Sequence, residues 1–133
     1  SGQSVTNGIL VEVKGHWNKF KVLDNGRKIL LQPGVNGGTA NNVLSKYRRK
    51  IGPDPASLNA ACIGGIVSNN SSGMICGTEY NSYNTLSSIR FILPNGRAYD
   101  SGASGESERF KHSEPKLFKA ILDLKKNISM FIL

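Results

Sequence analysis

Three short stretches near the start of the chain have the pattern of strands: ILVEV (9–13), where polar and apolar positions alternate well enough for one, and then KFKVL (19–23) and KILLQ (28–32). A period of two marks a half-buried strand, because successive side chains leave opposite faces of the backbone. Asp24, Asn25 and Gly26 separate the second stretch from the third. Asn and Gly accept the positive φ of tight turns, so these two strands are predicted to pair as a hairpin, with Pro33-Gly34 closing the strand region. From Thr39 the period lengthens. Ala40, Val43, Leu44 and Tyr47 fall at helical spacing, with Thr39 placed to cap the start and KYRRK (46–50) in the last turn. Further on, TLSSIRFIL (85–93) reads as a strand, and Asn95-Gly96 as a second hairpin turn with residues 97–99 returning. Residues 101–112 read as a mobile polar loop. Ser113 then caps a helix with Glu114 and Pro115 in its first turn and an apolar stripe of Leu117, Phe118, Ile121, Leu122 and Ile128. Strands, helix, glycine-rich stretch, hairpin and helix in that order predict an α+β fold.

Composition narrows the class. A chain of 133 residues fits one domain, and 38% hydrophobic with 20% charged residues is enough to build a core. No apolar run approaches the ~18–20 residues that span a bilayer. The start, SGQSVTNG, has neither the basic nor the apolar region of a signal peptide, and the abrupt apolar end, MFIL, suggests a piece cut from something larger. Two cysteines, Cys62 and Cys76, without a secretion signal are expected to be reduced, which fits a cytoplasmic protein. No Cys/His cluster has metal-site spacing, and His16 beside Trp17 reads as packing rather than catalysis.

The net charge of +8 favours an anionic partner: nucleic acid, the lipid of an inner membrane face, or a phosphate-bearing ligand. The charge is scattered, and only KYRRK is dense. A helix dipole accounts for cations in a last turn. A nucleic-acid patch is the alternative, but aromatics make up 8% of the chain and do not interleave with the basic residues as a stacking surface requires, so no nucleic acid is expected.

The strangest stretch is IGPDPASLNAACIGGIVSNNSSG (51–73), almost free of charge and rich in small residues. Glycine is costly to order, so so many small residues together imply a close approach. Pro53 and Pro55 stiffen the backbone, Ser57 and Asn59 offer short polar groups, and Gly64-Gly65 free backbone N–H groups near a helix start. Asn69, Asn70, Ser71 and Ser72 add neutral donors, the chemistry of a diphosphate cradle. Neither the GxGxxG nor the GKS/T phosphate motif is present. Packing of a helix on a sheet is the plainer use of such glycines.

The ordered set SGQ, QPGV (32–35), GPDPAS, IGG, NN, SG and LPNG (93–96) resembles the FAD-binding domain of the vanillyl-alcohol oxidase / p-cresol methylhydroxylase superfamily. The branch it resembles is that of FAD-linked D-lactate and D-2-hydroxyacid dehydrogenases, in particular the long bacterial type that carries an iron–sulfur domain. The likeness covers residues 1–101, with 102–133 adding a loop and a C-terminal helix to one partial domain. It implies a mixed or antiparallel sheet flanked by helices and non-covalent FAD. Ser1, Gly2, Gln3 and Ser4 would be the end of the pyrophosphate loop. Pro53, Asp54, Pro55 and Ser57 would run beside the flavin. Ile63, Gly64 and Gly65 would offer amides to the diphosphate or ribityl region, and Asn69, Asn70, Ser72 and Gly73 would complete the wall.

The resemblance places no catalytic residue and no metal in this chain, since substrate-handling groups sit in a cap domain. The activity it implies for the parent protein is oxidation of a D-2-hydroxy acid to a 2-keto acid, with this part alone inactive. An enolpyruvyl-sugar reductase or a sugar-lactone oxidase on the same fold is the alternative. Peripheral contact with the inner face of the membrane and pairing of two copies through open sheet edges are further expectations.

Overall fold

A computed structural model describes residues 7–129. The chain divides into two compact units, Ser1–Leu86 and Ser87–Leu133. In the first, β1 (Phe20–Leu23) and β2 (Lys28–Leu31) form the expected antiparallel hairpin, in register from Phe20 opposite Leu31 to Leu23 opposite Lys28. Asp24, Asn25 and Gly26 turn the chain with positive φ at all three residues. The open end is closed by Gln32, whose N–H donates to Lys19 O (3.0 Å) while its Oε1 accepts from Lys19 N–H (2.9 Å). The strand expected at residues 9–13 does not form. Its alternation is real, but a strand needs a paired neighbour, and Ile9, Leu10 and Val11 instead stand largely exposed.

Helix α1 spans Gly37–Ser45. It starts ahead of the predicted cap because Asn36, a stronger cap than threonine, accepts the Thr39 N–H on its Oδ1 (2.7 Å). Ala40 and Leu44 are buried as the spacing predicts, whereas Tyr47 and the whole KYRRK run lie past the helix end. A short helix, α2 (Ile63–Ser68), buries Ile66. One turn of helix, α3 (Ser82–Thr85), follows with Asn81 as its cap. The buried side chains of this unit include Val35, Ala40, Leu44, Pro53, Ile66, Cys76 and Ser82. Ser82 is polar but satisfied, its hydroxyl lying 2.8 Å from Ser71 O and 3.1 Å from Ile66 O.

In the second unit, β3 (Arg90–Ile92) pairs antiparallel with β4 (Ala98–Asp100) across the Asn95-Gly96 turn. The strand predicted from residue 85 is thus much shorter. Thr85 closes α3, where its hydroxyl donates to Asn81 O (2.8 Å), and residues 86–89 are irregular. Much of the predicted mobile loop is a helix, α4 (Glu106–Ser113). Its polar composition hides two supports: Glu106 and Arg109 pair one turn apart at 2.7 Å, and Phe110 anchors the helix edge-on against Tyr99 of β4, ring centres 4.9 Å apart.

Ser113 therefore ends one helix rather than capping the next, and α5 (Pro115–Ser129) follows directly. Phe118 packs inward toward Phe110, whereas Leu117, Ile121, Leu122 and Ile128 remain about half exposed. Glu114, between the helices, accepts from Asn95 Nδ2 (2.9 Å), Arg97 Nη1 (3.0 Å) and the Tyr99 hydroxyl (3.1 Å). The architecture is α+β, but the sheet among the described residues is two separate antiparallel ribbons with no mixed pairing.

Candidate functional site

The glycine-rich segment lies along the chain that links β2 to α1. Ile63 N–H donates to Val35 O (2.7 Å) and Gly64 N–H to Pro33 O (3.0 Å). In return Gly37 N–H reaches Ala61 O (3.2 Å), Gly38 N–H reaches Leu58 O (3.0 Å), and Asn36 Nδ2 donates to Asn59 O (3.2 Å). Backbones this close leave no room for side chains: a Cβ on Gly64 would sit 2.9 Å from Pro33 Cβ. Part of the close approach that the composition demands is therefore made by the protein to itself. The Ile63 and Gly64 amides, expected to face a diphosphate, here tie α2 to residues 33–35. Gly65 lies in the same turn, half-buried.

A second set of contacts is organised by Asp54. Its carboxylate accepts the N–H of Ile75 on Oδ2 (3.2 Å) and of Cys76 on Oδ1 (3.1 Å), clasping two segments 21–22 residues apart. Gly73 passes against the Asp54 carbonyl and carboxylate with no space for a Cβ. Cys76, 5% exposed, takes the Gly73 N–H on its sulfur (3.0 Å). Desolvation pushes the Asp54 carboxyl up, but the Cys76 thiol, the Cys76 and Ile75 amides and the Lys50 charge together outweigh it and hold the group below its ordinary value. Asp54 is thus a clasp, with Pro53 buried beside it and Pro55 half-buried.

The remaining expected residues are placed as follows. Asn70 has φ 50° and accepts the Tyr83 N–H on its Oδ1 (2.9 Å), tying α3 back to the segment. The Asn69 side chain accepts the Ser71 hydroxyl, and Ser57 and Ser72 are exposed. Ser1, Gly2, Gln3 and Ser4 lie outside the described residues. Sequence reasoning missed Asn36, Cys76 and Ser82 as organisers of the segment. For Asn36 a signal existed, since it stands three residues before Thr39 at a strand-to-helix change.

The clasp has a measurable consequence. A depressed folded pKa means that its contribution is complete above about pH 4 and is lost as the pH falls through the lower folded value. Amide exchange at Ile75 and Cys76, corrected for intrinsic rates, is expected to quicken in acid over that range. Asp54→Ala should quicken it at neutral pH by roughly tenfold. Protection indifferent to both changes would show that the carboxylate does not hold this loop.

Electrically the segment is bare. Asp54 is the sole ionisable carboxylate among residues 51–78, and these residues include no lysine or arginine. Two shallow hollows, of about 520 and 440 Å³, are lined by other residues. Among the described residues no group could hold a metal ion, both cysteines are free, and no helix is long and apolar enough to cross a membrane.

The profile of the family described as the FAD binding domain matches residues 1–102, and this chain belongs to that family. Its cofactor is FAD. Among curated proteins it is similar to D-2-hydroxyglutarate dehydrogenase of Haemophilus influenzae, 27% identical over 104 residues, which is 77% of this chain and 10% of that protein. The chain thus spans about a tenth of the relative's length. No solved structure matches the chain. The residues present fit the cofactor's chemistry: a diphosphate at this segment would meet short neutral donors and no free carboxylate, because the single acidic side chain is engaged by backbone amides.

Proposed function

We propose that this chain is the FAD-binding part of a flavin-dependent oxidoreductase that converts a D-2-hydroxy acid of the D-lactate kind into its 2-keto acid. The observation that carries this reading is the family match across residues 1–102, and the hydroxy-acid class is supported by the similarity to a D-2-hydroxyglutarate dehydrogenase. The chemistry that bound FAD supplies is acceptance of a hydride from the substrate α-carbon. The protein's own residues bind and orient. Ser57, Gly65, Asn69 and Ser72 would meet the cofactor's polar groups, and the Asp54 clasp keeps Pro53, Pro55 and Gly73 in a fixed surface. Ser1, Gly2, Gln3 and Ser4 are assigned in this reading to the pyrophosphate of FAD.

Cys76 is buried and Cys62 half-buried, in keeping with non-covalent binding. The substrate site, and an iron–sulfur centre to carry electrons away, belong in this reading to the rest of a longer cytoplasmic protein. Pairing of two copies belongs to the same reading, supported by two-stranded ribbons whose outer edges have no strand neighbour among the described residues.

Titrating the purified chain with FAD and with FMN, followed by flavin fluorescence, tests the core of this. FMN lacks the second phosphate and the adenosine, so FAD is expected to bind at least about tenfold more tightly, a difference of ~1.4 kcal/mol. Equal affinities, or no binding by a folded chain, would sink the reading. Oxidation of D- but not L-2-hydroxy acids by the intact protein, and none by these 133 residues alone, is the matching result for the substrate.

A further inference from the structure

The run KYRRK has no role in the arrangement described above, and the helix dipole does not explain it. α1 ends at Ser45, so residues 46–50 lie beyond its last turn. The terminal carbonyls are already satisfied by backbone: Leu44 O accepts the N–H of Tyr47 (2.9 Å) and Arg49 (3.2 Å), and Ser45 O accepts that of Arg48 (2.8 Å). Lys46, Arg48, Arg49 and Lys50 are exposed, and among the described residues none forms an ion pair. Lys50 acts on Asp54 only through space, and that carboxylate is held by two amides.

Arg48 also sits in the left-handed region, at φ 54°, where glycine is the low-energy residue after a helix. The turn it makes sets Arg48, Arg49 and Lys50 around a shallow hollow of about 440 Å³, with Ser45 as the remaining wall and no carboxylate in the lining. Three cations without an ion pair among the described residues thus border one shallow hollow, and one of them holds a left-handed backbone position that costs stability.

We propose that Arg48, Arg49 and Lys50 form a phosphate-binding site just past the end of α1. Guanidinium groups match phosphate oxygens two at a time, and the lysine adds a third donor of the same sign. The same chemistry serves two sources, the diphosphate of FAD and a separate phosphorylated ligand.

Thermal unfolding of the chain in sodium phosphate against sodium chloride of equal ionic strength tests the site without reference to FAD. Phosphate is expected to raise the Tm with the logarithmic concentration dependence of site binding, by on the order of 5 °C at ten times its Kd. Arg48→Gly separates the site from the fold. Relief of the left-handed strain should raise its Tm in chloride by about 3 °C, while the phosphate-induced rise falls by at least about half. Arg49→Gln should lose the phosphate response with its chloride Tm unchanged. If the source is FAD, its Kd rises roughly tenfold in the Arg49→Gln variant, the loss of about one charge-assisted contact; if a separate ligand, FAD affinity stays the same. A phosphate response absent from the wild type, or equal in all three proteins, overturns the proposal.

Discussion

Tyr99→Ala is expected to destabilise the second unit by about 4 kcal/mol, the range for removing a buried aromatic. Tyr99 is 4% exposed and sits between two rings, stacked on Phe91 at 5.7 Å and meeting Phe110 edge-on at 4.9 Å. The Arg109 guanidinium lies 4.5 Å over its ring, and its hydroxyl donates to Glu114. One side chain thus joins β4 to both α4 and the link into α5. Tyr99→Phe keeps the rings and loses only the hydroxyl's bond, so its cost should be about 1 kcal/mol. Chemical denaturation followed by near-ultraviolet circular dichroism reads both. An alanine variant no worse than the phenylalanine one would mean that the rings do not hold this unit together.

The second large effect belongs to Gly73→Ala, expected to cost about 2–3 kcal/mol. The added methyl falls on the Asp54 backbone carbonyl, which cannot swing aside as a long side chain would. Relief requires residues 73–76 to move off the clasp, so Cys76, otherwise buried, becomes open to a thiol reagent. Faster modification of Cys76, located by mass spectrometry, should therefore accompany the lost stability. The neighbouring Ser72→Ala, at an exposed position, should stay within about 0.5 kcal/mol of wild type. If the two variants behave alike, close packing of Gly73 on Asp54 is refuted.

The parts of this fold that could be read from sequence are those whose information is local. Both hairpins follow from alternating strands around Asn-Gly turns, and Ala40 and Leu44 fall on a buried face at helical spacing. Residues 9–13 carry a strand pattern without forming a strand, because alternation cannot supply a partner. Helix α4 was underread because its support comes from Tyr99, which packs on Phe110 from another element. The site divides in the same way. Small-residue content picked out residues 51–73 and carried the family resemblance, which the family match bears out for the FAD-binding domain. What it could not reveal was that residues 58–64 spend much of that smallness on residues 33–38, or that Asp54 reaches across 21–22 residues to Ile75 and Cys76. Both depend on which distant backbone lies alongside.

The self-contact between residues 33–38 and 58–64 bears on how relatives of this chain should be compared. Positions held free of side chains by a neighbouring backbone will resist substitution in every relative that keeps the fold, whether or not a ligand touches them. Invariance at Gly64 would therefore report the fold rather than the cofactor. The positions at which invariance would speak for binding are the exposed ones, Ser57 and Ser72.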